Sequence, residues 1–357
     1  MNKTHIDINL GHLAHNYHAL REMAPTAEAC SAVVKADAYG CGVQQVVERL
    51  CHEECQIFFV ATYQEGVAVR QINKDIIIYV LEGLTSHQIS DYKAHDLRPV
   101  INDLASFKDI KTLKMQAALH IDTAMNRLGL SLNDYFTIKD MIDDMVISQD
   151  ISLLMSHLSV ADHISHPLNK QQIEKVQNIA KNHPHAKMSL ANSMGVLHHP
   201  DTHFDILRPG IALYGGVSHP KLRHIVTLSG QILQIRQIES GDTVGYGATF
   251  TAQKPMIIAT ISGGYADGIP RSLSNTDFAV FYNGYRFPLI GRVSMDSLIC
   301  DVSDYPQIDQ LHQEWVEIFG PHNPLDECAE LAHTISYEIL THLSARGERT
   351  YIGCASS

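Results

Sequence analysis

The chain has no surplus of positive charge: 27 Lys and Arg against 39 Asp and Glu leave a formal net charge of -12. No dense Lys/Arg stripe offsets this, so a nucleic-acid partner is not expected. Long hydrophobic runs are also missing. The run Ile76 to Leu81 is far too short to span a bilayer, and Met1 to Leu10 carries no signal-peptide core. A cytoplasmic enzyme with no membrane partner is the expectation. Seven cysteines, odd in number and irregular in spacing, make no disulfide ladder. Cys51 and Cys55 sit four apart on an expected helix without further metal ligands beside them. Histidine is abundant at 22, and His157, His163 and His166 lie close together. No His/carboxylate helix motif accompanies them, so no metal is expected. His198 and His199 before Pro200 read as a loop. Internal repeats and low-complexity linkers are absent from the sequence.

What is present is ample apolar material. At 357 residues, with 45% hydrophobic and 18% charged content, the chain can bury a large core and is expected to hold two domains. Short apolar runs begin near Ala32, Ile57, Ile76, Leu97, Gln116, Ile151, Lys187 and Ile206. Helical periodicity fills the spaces between, as in Gln44–Leu50, Gln64–Ile72 and Leu168–Ala180. About eight strand–helix units predict an α/β domain, a (β/α)8 TIM barrel over residues 1–223. Past His224 the texture changes to Ile225–Leu228, Gly230–Ile235, Ile257–Ile261 and Phe278–Tyr282, with turn signals at Glu239–Asp242 and Asn283–Gly284. Residues 224–357 are therefore expected to form a mostly β domain with one helix near Pro324–Leu343. Residues 1–9, with a strand from Ile6 to Asn9, precede the barrel and are candidates to join that β domain.

The most informative segment is Cys30 to Gly42. The apolar run Ala32–Val34 delivers Lys35, then Tyr39, then Gly40 and Gly42. An amine ending a buried strand is desolvated, which lowers its pKa and makes it nucleophilic, as a Schiff-base lysine requires. The same pattern also fits a strand-end lysine that reaches solvent. Lys35, Asn192, Ser193 and Arg208 all fall at or just after expected strand ends, and His157 ends the strand from Ile151. Barrel enzymes build their sites on that face.

The run Val33–Gly42 closely resembles the cofactor-attachment segment of bacterial alanine racemases, pyridoxal-phosphate enzymes of fold type III. Further similar segments follow in order: His120–Gly129, Ser156–Leu158, Ala191–Ser193, Arg208–Gly215, Val244–Phe250, Gly264–Gly268, Gly291–Asp296 and Ser336–Glu338. The resemblance implies interconversion of L- and D-alanine, supplying peptidoglycan synthesis. It implies Lys35 and Tyr246 as catalytic bases on opposite faces of the substrate. It implies Lys35, Tyr39, His157, Asn192, Ser193, Arg208, Gly210, Ile211 and Tyr337 as residues around pyridoxal 5'-phosphate. Arg127 and the main chain of Met295 would take the substrate carboxylate, and Asp162, Tyr265 and Arg271 would line the entrance. Tyr246 and Met295 would reach the Lys35 site of a second copy, making a homodimer with shared sites. A guanidinium at the pyridine nitrogen has no acceptor, so Arg208 would favour the unprotonated ring and suit racemisation over transamination.

One position departs from the pattern. Many members carry a lysine at His120, whose carbamate holds the carboxylate-binding arginine. The resemblance therefore leaves Arg127 to be positioned by His120, by Asp122 or by a bound anion, and makes alanine affinity sensitive to anions or to pH near the histidine range. Ala124 and Asn126 also differ from the common pattern. Competing readings are a broad-specificity or serine-type racemase, a related decarboxylase, and a pyridoxal-phosphate carrier without turnover. Tyr337 and Tyr265 would crowd a large side chain, the Arg208 and Tyr246 segments oppose a decarboxylase, and a carrier would lack the β domain bearing Tyr246.

Overall fold

Short apolar runs without polar alternation fold as strands covered on both faces. The computed structural model describes residues 3–113, 115–343 and 346–354, with the backbone alone at 86 and 110–113. It divides into two compact units, residues 16–38 with 42–213, and residues 1–15, 39–41 and 214–357.

The first unit is the expected barrel. Seven parallel strands follow in chain order: Ala32–Val33, Ile57–Val60, Ile77–Val80, Arg98–Ile101, Ala117–His120, Ile151–Met155 and Met188–Ser189. The eighth, Ile206–Leu207, pairs in parallel with Ala29–Cys30. Hydrogen bonds from Ser31 N to Leu207 O and from Val33 N to Pro209 O carry this pairing onto the first strand, and Arg208 N donates to Ala191 O on the other side. The ring of strands thereby closes.

Alternate residues of each strand serve two cores. Ala117, Leu119 and Leu154 face outward and pack on Ile138, Ile142, Ile173 and Val176 of the helices Leu132–Ile147 and Pro167–Asn182. Phe59, Tyr79, Val100, Ala118, Leu153, Met155 and Ile206 face inward. The inner layer is aromatic at its centre, where Phe59 and Tyr79 stack at 4.9 Å. Tyr79 Oη lies 2.9 Å from Ser152 Oγ, so its polar end is satisfied.

The second unit is mostly β. Strand Thr4–Asn9 runs antiparallel to Val226–Ile238 and parallel to Glu348–Ile352. The run broken at Ser229–Gly230 in the sequence is one strand, Val226–Ile238, rather than two. A Cβ at Gly230 would sit 2.1 Å from Ser262 O, so the glycine marks a close crossing of chains instead of a strand end. Asn283 and Gly284, at φ 48° and 81°, close the hairpin Ala279–Tyr282/Tyr285–Pro288 as expected. The single helix expected over Pro324–Leu343 is two, Leu325–Leu331 and Ser336–Thr341. His333, at φ 56°, breaks it. Two smaller expectations also change. Cys55 lies beyond the helix Val43–His52, fully buried, and His198 is the last residue of the helix Ser193–His198. Among the described residues no helix is long and apolar enough to cross a membrane, and no three His, Cys, Asp or Glu side chains gather to hold a metal.

Candidate active site

The inward register of the barrel strands continues past their ends. Val33 packs on the inner layer and Lys35 follows two residues on. By the same count Val100 leads to Asn102, Ala118 to His120, Met155 to His157, and Ile206 to Arg208. The C-terminal mouth of the barrel therefore carries an amine, an amide, two imidazoles and a guanidinium.

Lys35 opens an unusual turn. Ala36, Asp37, Ala38 and Tyr39 all adopt left-handed helical φ values of 53–56°. Such backbone costs about 1–2 kcal/mol per L-residue. Gly40 and Gly42 stand after this turn. The turn is held instead by hydrogen bonds: Ala38 N to Val34 O, Gly42 N to Asp37 O, and Val43 N to Asp37 Oδ1 at 2.8 Å. Glu65 is the main brace. Its carboxylate accepts Ala36 N at 2.7 Å, Ala61 N at 2.7 Å and Thr62 N at 3.1 Å, joining two strand ends. The Thr62–Glu65 pair is a capping box, and its Thr-x-x-Glu spacing is the sequence signal that could have singled out Glu65. Burial, and then the nearby Arg127 charge, lower the Lys35 pKa, with Glu65 opposing. The amine is thus more readily deprotonated than an exposed lysine.

Arg208 is buried at 4% exposure. Nη1 donates to Ser189 Oγ and Nη2 to the Ser156 carbonyl, each at 2.5 Å. Its Cζ stands 5.8 Å from the Phe59 ring centroid. Burial lowers its pKa to about 9, which still leaves a cation near neutrality. His157 lies close enough to sense it. Burial first, then Arg208, Arg127, His120 and Lys35, hold the His157 pKa well below the usual histidine range. Neither Ser189 nor the Ser156 carbonyl was anticipated from the sequence.

Asn192 and Ser193 begin the helix Ser193–His198. Asn192 Oδ1 accepts Gly195 N at 2.9 Å, so that side chain caps the helix. Ser193 Oγ accepts Gly210 N at 2.9 Å and Ala212 N at 3.1 Å. The Gly210 N–H expected for a phosphate is therefore engaged by this hydroxyl, while the Ser193 proton stays free to donate. Ile211 is fully buried between them in sequence.

Arg127 sits in the exposed loop after strand Ala117–His120. Asp122 shapes that loop: its carboxylate accepts Ala124 N at 3.1 Å, Met125 N at 2.8 Å and Asn126 N at 2.7 Å. It is thus committed to the main chain. Burial, with Arg208 next, lowers the His120 pKa to about 4. The imidazole is neutral near pH 7, which moves its titration below the histidine range expected from the sequence. Asp162 is exposed, 3.8 Å from His163.

In the β unit, Tyr39 stacks on Tyr214 at 4.7 Å and 28°, with the Tyr337 ring 5.9 Å away. Burial, and then Tyr337, raise the Tyr39 pKa, so its hydroxyl stays a proton donor. Tyr265 N donates to Ser294 O and Ala266 N to Met295 O, tying the two loops that carry Tyr265 and Met295. Arg346 braces both loops, with Nε 3.3 Å from Asp267 Oδ1 and Nη1 2.8 Å from Asp296 Oδ1. The sequence reading passed over Arg346. Arg271 lies in the turn Arg271–Leu273. Tyr246 opens the turn Tyr246–Ala248 and is 71% exposed.

These groups fit the demands of pyridoxal phosphate. Lys35 offers a desolvated amine and Arg208 a buried cation held only by neutral acceptors. Ser193 offers a hydroxyl whose proton is uncommitted to the two N–H groups it accepts.

Comparison with known proteins agrees. A family model described as the alanine racemase N-terminal domain matches residues 8–218, and one described as the alanine racemase C-terminal domain matches residues 225–351. The catabolic alanine racemase of Agrobacterium fabrum is 41% identical, over 98% of this chain and 92% of its own. The alanine racemase of Rickettsia canadensis is 38% identical, over 96% of this chain and 98% of its own. Among solved structures, the alanine racemase of Bartonella henselae with covalently bound pyridoxal phosphate is similar at a TM-score of 0.90 and 35% identity. That likeness covers 99% of this chain and all of the other.

Proposed function

This chain belongs to the alanine racemase family, and we propose that it interconverts L- and D-alanine by two bases, Lys35 and Tyr246, on opposite faces of the α-carbon. The enzyme is an isomerase that uses pyridoxal 5'-phosphate. That cofactor supplies an electron sink which makes the α-proton of a bound amino acid labile. The observation that carries the proposal is the pairing of a desolvated Lys35 with a buried Arg208 at one barrel mouth.

Each residue then has a task. Lys35 Nζ would hold the cofactor and serve as the base on one face of the α-carbon; Tyr246 would serve on the other. Arg208 would meet the ring nitrogen as a donor without acceptor capacity. Ser193, Tyr39 and Tyr337 offer hydroxyls to the phosphate, with Gly210 N anchoring Ser193 and the Ile211 N–H as the main-chain donor. Asn192 sets the helix start beneath Ser193, and His157 would link Arg208 to Tyr246. Arg127 and the Met295 main chain receive the substrate carboxylate. Asp162, Tyr265 and Arg271 line the way in. The barrel is the cofactor domain, and the β domain supplies Tyr246. The active unit is a homodimer in which Tyr246 and Met295 serve the partner's Lys35. The enzyme works in the cytoplasm.

Purified protein supplied with pyridoxal phosphate should convert L-alanine to an equal mixture with D-alanine, read by chiral chromatography. Absence of D-alanine from cofactor-loaded protein would overturn the proposal. The proposed role is D-alanine supply for peptidoglycan. The likeness to the Agrobacterium fabrum enzyme named as catabolic supports a second role, D-alanine breakdown. Deletion strains decide between them: a requirement for D-alanine marks supply, and loss of growth on D-alanine marks breakdown.

A further inference from the structure

His120 ends the strand Ala117–His120 with its imidazole 8% exposed. Nδ1 lies 2.9 Å from Asn102 Oδ1, at the end of the neighbouring strand Arg98–Ile101. The Asn102 amide cannot be turned over. Its Nδ2 donates to Leu81 O at 3.0 Å and to Val100 O at 3.1 Å, and an oxygen in that place would face two carbonyls. Asn102 therefore presents an acceptor to the ring, and Nδ1 must carry the proton.

A neutral imidazole with its proton on Nδ1 has a bare lone pair on Nε2. The Cγ–Cδ2 side of the ring lies against Gly129: a Cβ there would sit 3.0 Å from both His120 Cδ2 and His120 Cγ. Gly129 also has φ 103°, so a side chain there would be strained as well as crowded. The glycine belongs to the loop that bears Arg127. That loop is tied to the strand end by Leu130 N to His120 O and Asp122 N to Leu130 O. The charged groups around the ring are Arg208 past the strand Ile206–Leu207, and Asp122 and Arg127 from the loop itself. His157, past the strand Ile151–Met155, is the other titratable neighbour. Asp122 spends its carboxylate on three main-chain N–H groups, as described above. Nε2 has no hydrogen-bond partner among the described residues.

We infer that His120 is a positioning residue for Arg127: Asn102 fixes the proton on Nδ1, and the bare Nε2 accepts an N–H of the Arg127 guanidinium as the substrate carboxylate docks on its other edge. The inference rests on the assignment of Arg127 to the carboxylate in the proposed function. The low pKa of His120 agrees with it, because a protonated ring would have nothing to offer a guanidinium.

The test uses the holoenzyme, with alanine kinetics and calorimetric binding of propionate, a carboxylate that cannot react. His120→Phe keeps a flat ring and removes the acceptor. A hydrogen bond to a charged group is worth about 1.5–3 kcal/mol, so the alanine KM and the propionate Kd should rise about tenfold or more, with kcat little changed. His120→Gln, whose amide oxygen can accept, should restore most of that loss. If His120 only fills space, the Phe variant will bind alanine and propionate as the wild type does, and the inference falls. Asn102→Asp keeps His120 and adds a carboxylate that draws a proton onto the ring. Its alanine KM should rise as pH falls from 8 to 6, while the wild-type value should stay flat. A flat profile in active Asn102→Asp would equally overturn the inference. Wild-type protein without racemase activity would sink the proposed function itself; active wild type with indifferent variants sinks only the role of His120.

Discussion

Arg208 Nη2 donates to the main-chain carbonyl of Ser156 at 2.5 Å. The two residues are 52 apart in sequence, and the contact turns the guanidinium into a fixed cation inside the barrel. A neutral carbonyl anchors the group without neutralising it, which a carboxylate would do. The planar fork matters because Nη1 reaches Ser189 Oγ at the same time.

Arg208→Lys retains a positive charge but cannot span both acceptors, and a buried ammonium loses its proton more easily. Racemisation should fall by about tenfold or more, since each 1.36 kcal/mol of lost transition-state stabilisation is a factor of ten. Steady-state kinetics in both directions check this, with circular dichroism confirming an intact fold. Full activity in the lysine variant would show that charge alone suffices.

Lys35 should be the point of cofactor attachment, since burial makes its amine the better nucleophile. Borohydride treatment of the holoenzyme should fix the cofactor to the peptide containing Lys35, read by mass spectrometry. Label on a different lysine would refute the assignment.

Tyr246→Phe keeps shape and removes a proton carrier. Racemisation should drop by about 10²–10⁴-fold in both directions, the range typical of a lost acid–base group, with cofactor absorbance retained. If the proposed dimer shares its sites, mixing this variant with inactive Lys35→Ala should regenerate some activity, because a mixed pair would hold one site with both residues. No recovery despite demonstrated subunit exchange would count against shared sites.

His120 should make the fold acid-sensitive. Its pKa is about 4 in the folded protein and about 6.5 in an unfolded chain. Between those values the unfolded chain holds the extra proton, so stability is fully present above about pH 6.5 and is lost as pH falls toward 4. The linked loss is about 3 kcal/mol at its limit. His157, depressed in the same direction, adds to it. Removing one of the two groups in His120→Gln should shrink the drop in urea midpoint between pH 7 and pH 5, measured at one protein concentration. An unchanged drop would mean that His120 is not desolvated in solution.

Much of the fold was legible because its signals are local. Each apolar run that became a barrel strand is a few residues long and stands between helical periodicities, and Asn283–Gly284 names its own turn. Lys35 was legible for the same reason, as a charge at the end of such a run. Gly230 misled because a glycine reads alike at a strand end and at a close crossing; only Ser262, across the sheet, tells them apart.

By itself the sequence determined the strand–helix repeat, the change to β texture past His224, and the residue types available for chemistry. The tertiary structure alone decided which way those residues point and what holds them. Strands such as Ala117–His120 are buried on both faces, so no polar alternation marks the inward side, and the register that turns Asn102, His120 and Arg208 into one mouth is invisible along the chain. The partners that set their chemistry are equally distant in sequence. Ser189 lies on another strand from Arg208 and Ser156 just past one, and the proton on His120 is assigned by an amide 18 residues away, itself locked by two carbonyls. Hydrogen bonding has a range of about 3 Å, and only folding brings such groups within it.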